Sequence, residues 1–107
     1  AGSGVSLRIE AAKVPLLEGA LECVRAKFIP GGLTNNRDFA ECIVSYGESV
    51  PEEIRTMLYD PQTAGGLLLS VAEDDSERLV DALRNSGVPG VKIGTVLPAG
   101  KPLIHIV

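Results

Sequence analysis

The chain has 107 residues, of which 45% are apolar and 4% aromatic, and its formal net charge is −4. This length predicts a single compact domain with an aliphatic core and a small stability margin. The basic residues are scattered rather than grouped with aromatics, and no apolar run reaches the roughly 18 residues of a membrane span, so we expect neither nucleic-acid nor membrane partners. Residues 1–4, Ala-Gly-Ser-Gly, are typical of a linker or a tag remnant.

The first part of the chain predicts one strand and one long helix. Over Val5–Ile9 the apolar residues Val5, Leu7 and Ile9 alternate with Ser6 and Arg8, which predicts a short strand. Apolar residues then recur at helical spacing from Pro15 to Phe28, and Pro15 suits the first helical position. The Pro-Gly-Gly sequence at residues 30–32 is expected to end this helix.

Two shorter helices are predicted next. Asn35 or Asn36 is a candidate N-cap for a helix over residues 37–43. Ser49 is a candidate cap for another helix, because a proline and two acidic residues follow it in the order typical of a first helical turn. This third helix is expected to end at the turn that begins with Asp60.

The second half predicts three strands and one helix. Leu67–Val71 lacks alternation, so we predict a strand buried on both faces. The acidic run at residues 73–76 predicts the start of a helix that Gly87 ends. Residues 91–97 and 103–107 predict two further strands, which we expect to pair antiparallel.

This order of elements predicts an α+β fold. We expect a mixed sheet with helices packed on it, in a layout close to the ferredoxin-like domains. The strand–helix–strand unit over residues 67–97 is expected to form a right-handed crossover. An unpaired edge of such a sheet invites contacts between copies.

The cysteines and the histidine predict no catalytic or metal site. Cys23 and Cys42 form no Cys-x-x-Cys pair, and their apolar surroundings predict two buried, reduced thiols in a cytoplasmic protein. His105 is the only histidine, so the chain offers too few ligands for a metal site. We expect His105 to be a partly exposed strand residue.

The turn from Asp60 to Gly66 is the first candidate for a binding site. The Asp60 carboxylate could bind a metal ion or position a water molecule. The Thr63 hydroxyl could donate to a phosphate oxygen, and the amides of Gly65 and Gly66 could donate to an anion. The same residues are typical of a tight turn before a buried strand, so both interpretations stay open. The turn is not a Walker loop, because no lysine follows the glycines.

Two motifs carry a resemblance to a known family. Asp-Pro-Gln-Thr-Ala-Gly-Gly-Leu-Leu at residues 60–68 resembles the signature near the C-terminal end of the selenophosphate synthetases, also called selenide, water dikinases. Pro-Gly-Gly-Leu-Thr-Asn-Asn at residues 30–36 is similar to the family's Pro-Gly-Gly-Thr-x-x-Asn loop, and the resemblance runs along all 107 residues. Ala64 stands where the family usually has Ser and Leu33 where it usually has Thr, so we expect no hydroxyl role at either position.

The resemblance implies the C-terminal domain of the aminoimidazole ribonucleotide synthetase-like superfamily, in a larger two-domain enzyme. It implies that the parent enzyme, as a homodimer, uses ATP and magnesium to convert selenide to selenophosphate, AMP and phosphate. The partner of this chain is then the N-terminal ATP-binding domain of the same polypeptide. The residues that the resemblance selects as facing substrate or phosphate are Asp60, Gln62, Thr63, Gly65, Gly66 and Asn36.

The chain lacks the family's main catalytic residues. In the family, the nucleophilic cysteine or selenocysteine, its lysine and most magnesium-binding aspartates belong to the N-terminal domain. We therefore expect this chain to be non-catalytic alone, to hold neither ATP nor magnesium, and to form one wall of the active-site cleft. Two alternatives stay open: a C-terminal piece of a purine, thiamine-phosphate or hydrogenase-maturation relative, and a stand-alone ferredoxin-like binding or regulatory module that dimerises through its sheet.

Overall fold

Four short strands form one mixed sheet in a computed structural model that describes residues 3–107. The strands are β1 (Val5–Ile9), β2 (Val44–Tyr46), β3 (Gly94–Pro98) and β4 (Ile104–Ile106), and their order in the sheet is β2-β4-β1-β3. The predicted α+β class, with helices beside a mixed sheet, is confirmed. Residues 1–2, half of the predicted linker, lie outside the described residues.

Four helices accompany the sheet. They are α1 (Ala20–Arg25), α2 (Gly31–Ala40), α3 (Glu52–Met57) and α4 (Glu73–Asn85), with short 3-10 turns at Ala11–Lys13 and Glu41–Ile43. The buried apolar side chains of the described residues are Leu33, Val50, Tyr59 and Ile106. The core therefore lies where α2, α3 and β4 meet. No helix among residues 3–107 is long and apolar enough to cross a membrane.

Strand β1 has the predicted bounds, but the predicted pairing of the last two strands is wrong. β3 runs antiparallel to β1, and β4 runs parallel to β1 on its other side and also pairs with β2. The buried Ser6 explains this separation, because its hydroxyl donates to the Gly100 carbonyl (3.2 Å) and accepts from the Gly100 amide (2.9 Å). These bonds hold the turn between β3 and β4 against β1, so that β3 and β4 lie on opposite sides of β1.

The prediction of a buried strand at Leu67–Val71 is wrong for this chain. These residues belong to no strand, and the Leu67 side chain is 89% exposed. The expected right-handed crossover is absent from the described residues for the same reason, since no strand precedes α4. An uninterrupted run of leucines predicts that the segment is buried, but it does not identify the surface that covers the segment.

The first two helices differ from their predicted bounds. The predicted helix from Pro15 to Phe28 is reduced to α1, which begins after Gly19, a residue with a φ of 80°. The predicted helix over residues 37–43 is instead α2, which begins directly after Pro30 and has no side-chain cap. The Pro-Gly-Gly sequence thus starts a helix, since proline is tolerated at this end of a helix.

The later helices follow their sequence signals more closely. Helix α3 carries Glu52 and Glu53 in its first turn as predicted, although Pro51 rather than Ser49 is the N-cap. Helix α4 begins at the predicted acidic run and ends before Gly87. Strand β2 has no counterpart in the sequence predictions, because three residues are too few to show a period.

Helices α1 and α4 end in the same motif with different residues. Lys27 follows α1 with a φ of 62°, and the Phe28 amide donates to the Cys23 carbonyl at 2.9 Å. Gly87 follows α4 with a φ of 76°, and the Val88 amide donates to the Leu83 carbonyl at 2.9 Å. Both are Schellman ends, which favour glycine at the left-handed position.

Replacement of Lys27 with glycine should therefore stabilise the chain by about 0.5–1 kcal/mol. The left-handed conformation costs a non-glycine residue roughly 1–2 kcal/mol, and the greater freedom of glycine in the unfolded chain offsets part of this gain. Urea denaturation of the two proteins measures the difference. Gly87→Ala is the matched control and should lose about 1 kcal/mol. A lower unfolding midpoint for Lys27→Gly would contradict the prediction.

Candidate functional site

The two sequence motifs meet in the folded chain. The side-chain amide of Asn36, on α2, donates to the main-chain carbonyl of Tyr59 at 3.0 Å, immediately before the second motif. The Pro61 ring lies against Gly32, since a Cβ added to that glycine would be 3.1 Å from Pro61 Cγ. We call residues 30–37 and 60–66 together the motif junction. Segments far apart in sequence thus form one continuous surface.

The first motif supplies a helix N-terminus to the junction. Pro30 is the N-cap of α2, and no side chain caps the helix. The amides of Gly31 and Gly32 make no backbone hydrogen bond within residues 3–107. Free amides at the positive end of a helix attract anions such as phosphate groups. The sequence prediction missed this feature because it interpreted the two glycines as a helix stop.

All the predicted site residues are exposed at this junction. They are Asn36, Asp60, Gln62, Thr63, Gly65 and Gly66, and all six lie within residues 30–37 and 60–66. Asn36 already uses one amide hydrogen to hold Tyr59, so it positions the second motif.

The two glycines of the turn differ in their surroundings. A Cβ added to Gly65 would collide with the side-chain oxygen of Gln62, whereas a Cβ added to Gly66 would meet no atom within 4 Å. Neither residue has a positive φ, since the described glycines with a positive φ are Gly4, Gly19 and Gly87. A side chain at position 65 would thus require the exposed Gln62 side chain to move, while the fold itself does not require a glycine at position 66.

An apolar cavity of about 190 Å³ lies beside the junction. Its lining includes Leu33 from α2, Met57 from α3 and Asp60. Leu33 is only 5% exposed, so it is a core residue. Sequence reasoning missed its structural importance because the surrounding motif is otherwise polar and glycine-rich.

Two arginines, one in the junction and one on α1, form ion pairs between helices. Arg37 lies 2.9 Å from a Glu52 carboxylate oxygen, and this hydrogen bond raises the pKa of Arg37. Arg25 makes two hydrogen bonds to Glu53, at 3.0 and 2.7 Å, and they lower the pKa of that carboxyl. These pairs join α1 and α2 to α3. Arg37 therefore links α2 to α3. It lies in the last turn of α2, not in a first turn.

A second cluster orders the loop that leads into α3. The Arg55 guanidinium donates to the carbonyls of Val50 (2.9 Å) and Gly47 (3.0 Å), and it lies 5.2 Å from the centre of the Tyr46 ring. Burial raises the pKa of Tyr46, and the neighbouring Tyr59 phenol adds to this effect. The Tyr46 ring lies edge-on to the Tyr59 ring, with 6.2 Å between the ring centroids, and the Tyr59 carbonyl accepts the hydrogen bond from Asn36.

The cysteines and the histidine lie outside the junction. Cys23 and Cys42 are exposed, so the prediction of buried thiols is wrong; both belong to short elements that present one side to solvent. His105 is half-buried on β4 as expected, with its Nδ1 atom 3.3 Å from the Ser45 hydroxyl on the neighbouring strand. Residues 3–107 contain no group of three or more His, Cys, Asp or Glu side chains placed to hold a metal ion.

Comparison with known proteins gives one consistent result. The chain is 44% identical over 106 residues to a selenide, water dikinase of Pelobacter propionicus and 38% identical over 105 residues to one of Clostridioides difficile. It is 37% identical over 107 residues to selenide, water dikinase 2 of Peptoclostridium acidaminophilum. These alignments include 98%, 97% and 99% of this chain and 30% of each relative. No protein-family model matches the chain.

The relatives define a class of longer proteins that are kinases by name, and this α+β chain spans about 30% of their length. The chain belongs to the selenide, water dikinase family, also known as the selenophosphate synthetases.

Proposed function

We propose that this chain is the C-terminal domain of a cytoplasmic, homodimeric selenide, water dikinase. The longer polypeptide, here called the parent, would convert selenide and ATP to selenophosphate, AMP and phosphate. In this proposal the motif junction forms one wall of the active-site cleft and faces the N-terminal ATP-binding domain. The observation that carries the proposal is the contact between the two motif segments, through Asn36 and Tyr59 and through Gly32 and Pro61.

The chemistry of the junction supports a role beside phosphate groups. Free helix amides at Gly31 and Gly32, the Thr63 hydroxyl and the amides of Gly65 and Gly66 are all donors suited to an anion. Gly32 is half-buried and the other four residues are exposed, so a ligand held by another domain could approach these donors from solvent. The junction would position phosphates rather than react with them.

The described residues do not fit magnesium on their own. Magnesium held by protein groups alone requires several oxygen ligands in near-octahedral geometry. Asp60 is the one carboxylate of the 60–66 turn, and the described residues place no group of three potential ligands together. We therefore assign no step to a metal held by this chain, and we propose that the parent's ATP and magnesium are held by the remainder of the polypeptide.

The test of this proposal is a selenide-dependent ATPase assay on the isolated chain and on the parent. AMP formation is measured with and without selenide. We expect the parent to form AMP in a selenide-dependent manner and the isolated chain to remain at the background rate, since phosphoryl transfer depends on positioned charges that this chain lacks. Turnover by the isolated chain would contradict the non-catalytic role.

The gene itself gives an independent check. We expect an in-frame coding extension upstream that supplies the remaining 70% or so of the length of the relatives. A stop codon with its own promoter at this position would instead favour the stand-alone module and reject the proposal.

A further inference from the structure

The segment Leu67–Val71 has an unpaired backbone and unusually exposed side chains. Leu67, Leu68 and Leu69 are 89%, 69% and 55% exposed. Within the described part of the chain, residues 61–71 neither donate nor accept a backbone hydrogen bond to the main chain. Four apolar side chains on an unpaired backbone outside any helix have the properties of a strand that lacks its neighbour. We call residues 67–71 the leucine segment.

The chain as a whole also exposes more surface than a closed domain of its size. Its accessible area is 7769 Å², whereas a compact protein of 11.2 kDa is expected to expose about 5,700 Å², so the excess is about 2,000 Å². The radius of gyration is 14.8 Å, against about 13 Å expected for this length. An excess of this size matches the surface that a large permanent interface covers.

The distribution of exposed apolar residues argues against a second copy of the chain as the covering partner. Besides the leucine segment, Leu17 (82%), Phe28 (74%) and Phe39 (83%) are exposed on or beside other helices. Edge-to-edge pairing of two leucine segments would cover only five residues of each copy and leave Leu17, Phe28 and Phe39 exposed. A partner with several surfaces is required, and the relatives contain more than twice the length of this chain outside the aligned region.

We propose that the leucine segment becomes a β-strand by pairing with a strand from the remainder of the parent polypeptide. This inference rests on the proposed function, because it takes the parent as the partner. Strand addition gives the unpaired N–H and C=O groups their hydrogen bonds. Because side chains alternate along a strand, Leu67, Leu69 and Val71 would then pack on one face and Leu68 on the other. The leucine segment thus joins the motif junction to the body of the enzyme.

Hydrogen exchange of the backbone amides tests this pairing directly. The isolated chain, at two concentrations, is compared with the parent. We expect the amides of the leucine segment to exchange at near-unprotected rates in the isolated chain and at least about 100-fold more slowly in the parent. Equal exchange in both proteins would overturn the inference. Protection that rises with the concentration of the isolated chain would overturn it as well, because the partner would then be a second copy.

A matched pair of leucine substitutions in the parent separates pairing from general apolar exposure. Leu67→Asp and Leu17→Asp change residues that are similarly exposed in this chain, at 89% and 82%. Leu67→Asp should speed exchange in the leucine segment at least about tenfold, whereas Leu17→Asp should leave that segment protected. Leu67→Met, which keeps the apolar character, should retain protection. The inference is wrong if both aspartate variants have the same exchange in this segment as the unchanged parent.

The same parent sample distinguishes this inference from the proposed function. Protection of the leucine segment without selenide-dependent AMP formation would reject the function and support the pairing. AMP formation without protection would support the function and reject the pairing.

Discussion

Gly66→Ala in the parent should lower kcat/KM for ATP about tenfold without destabilising the fold, and Gly66→Val should lower it further. In this chain the added Cβ meets open space and the glycine has no positive φ, so the fold accepts a side chain there. A side chain at position 66 would displace a ligand or domain that approaches the backbone of the motif junction. Such a displacement matters because about 1 Å from the productive geometry can cost up to 100-fold in rate. A loss of kcat/KM without a loss of stability would therefore indicate that the Gly66 backbone faces the active-site cleft.

The free energy of unfolding of the isolated chain provides the comparison for Gly66. We expect a change of less than about 1 kcal/mol for Gly66→Ala, since an alanine that fits the backbone mainly alters the unfolded state. Gly100→Ala is the matched control, because its Cβ would make only ordinary contacts, at 3.7 Å from the Ser6 hydroxyl, and it lies outside the motif junction. Unchanged kinetics for both Gly66 variants would show that nothing approaches this glycine.

Leu33→Ala should destabilise the isolated chain by about 2–4 kcal/mol. Leu33 is 5% exposed and lines the cavity beside Asp60, so its truncation enlarges a void that α2 and α3 cannot close. A chain of 107 residues has a total stability of about 5–15 kcal/mol, so this loss is a large part of it. The melting temperature should fall by about 10 °C or more.

Leu33→Thr adds a sharper form of the same test. The threonine hydroxyl would be buried at this position in place of apolar contacts, which should cost about 1–3 kcal/mol. Leu17→Ala, at an 82% exposed position, is the control and should change stability by less than about 0.5 kcal/mol. A threonine variant as stable as the original chain would show that the site accepts a polar group and that Leu33 does not anchor the junction.

Part of the candidate site could be predicted from the sequence, and part could not. The motif at residues 60–66 identifies a turn of exposed polar residues, which the structure has. Its contact with residues 30–37 depends on the hydrogen bond from Asn36 to Tyr59, a pair 23 positions apart that no local pattern reveals. The helix N-terminus at Gly31 was missed because glycines after proline fit a helix stop as well as a helix start.

The sequence alone determined those features whose causes lie within a few residues. Strand β1 follows from the alternation over Val5–Ile9, and the start of α4 follows from its acidic first turn, since both signals act through neighbouring side chains and backbone. The tertiary structure decided the strand order, because Ser6 and Gly100 hold a turn across β1 although 94 positions separate them. It also decided that the leucine segment is open here, because burial depends on which surface is present to cover a run of leucines.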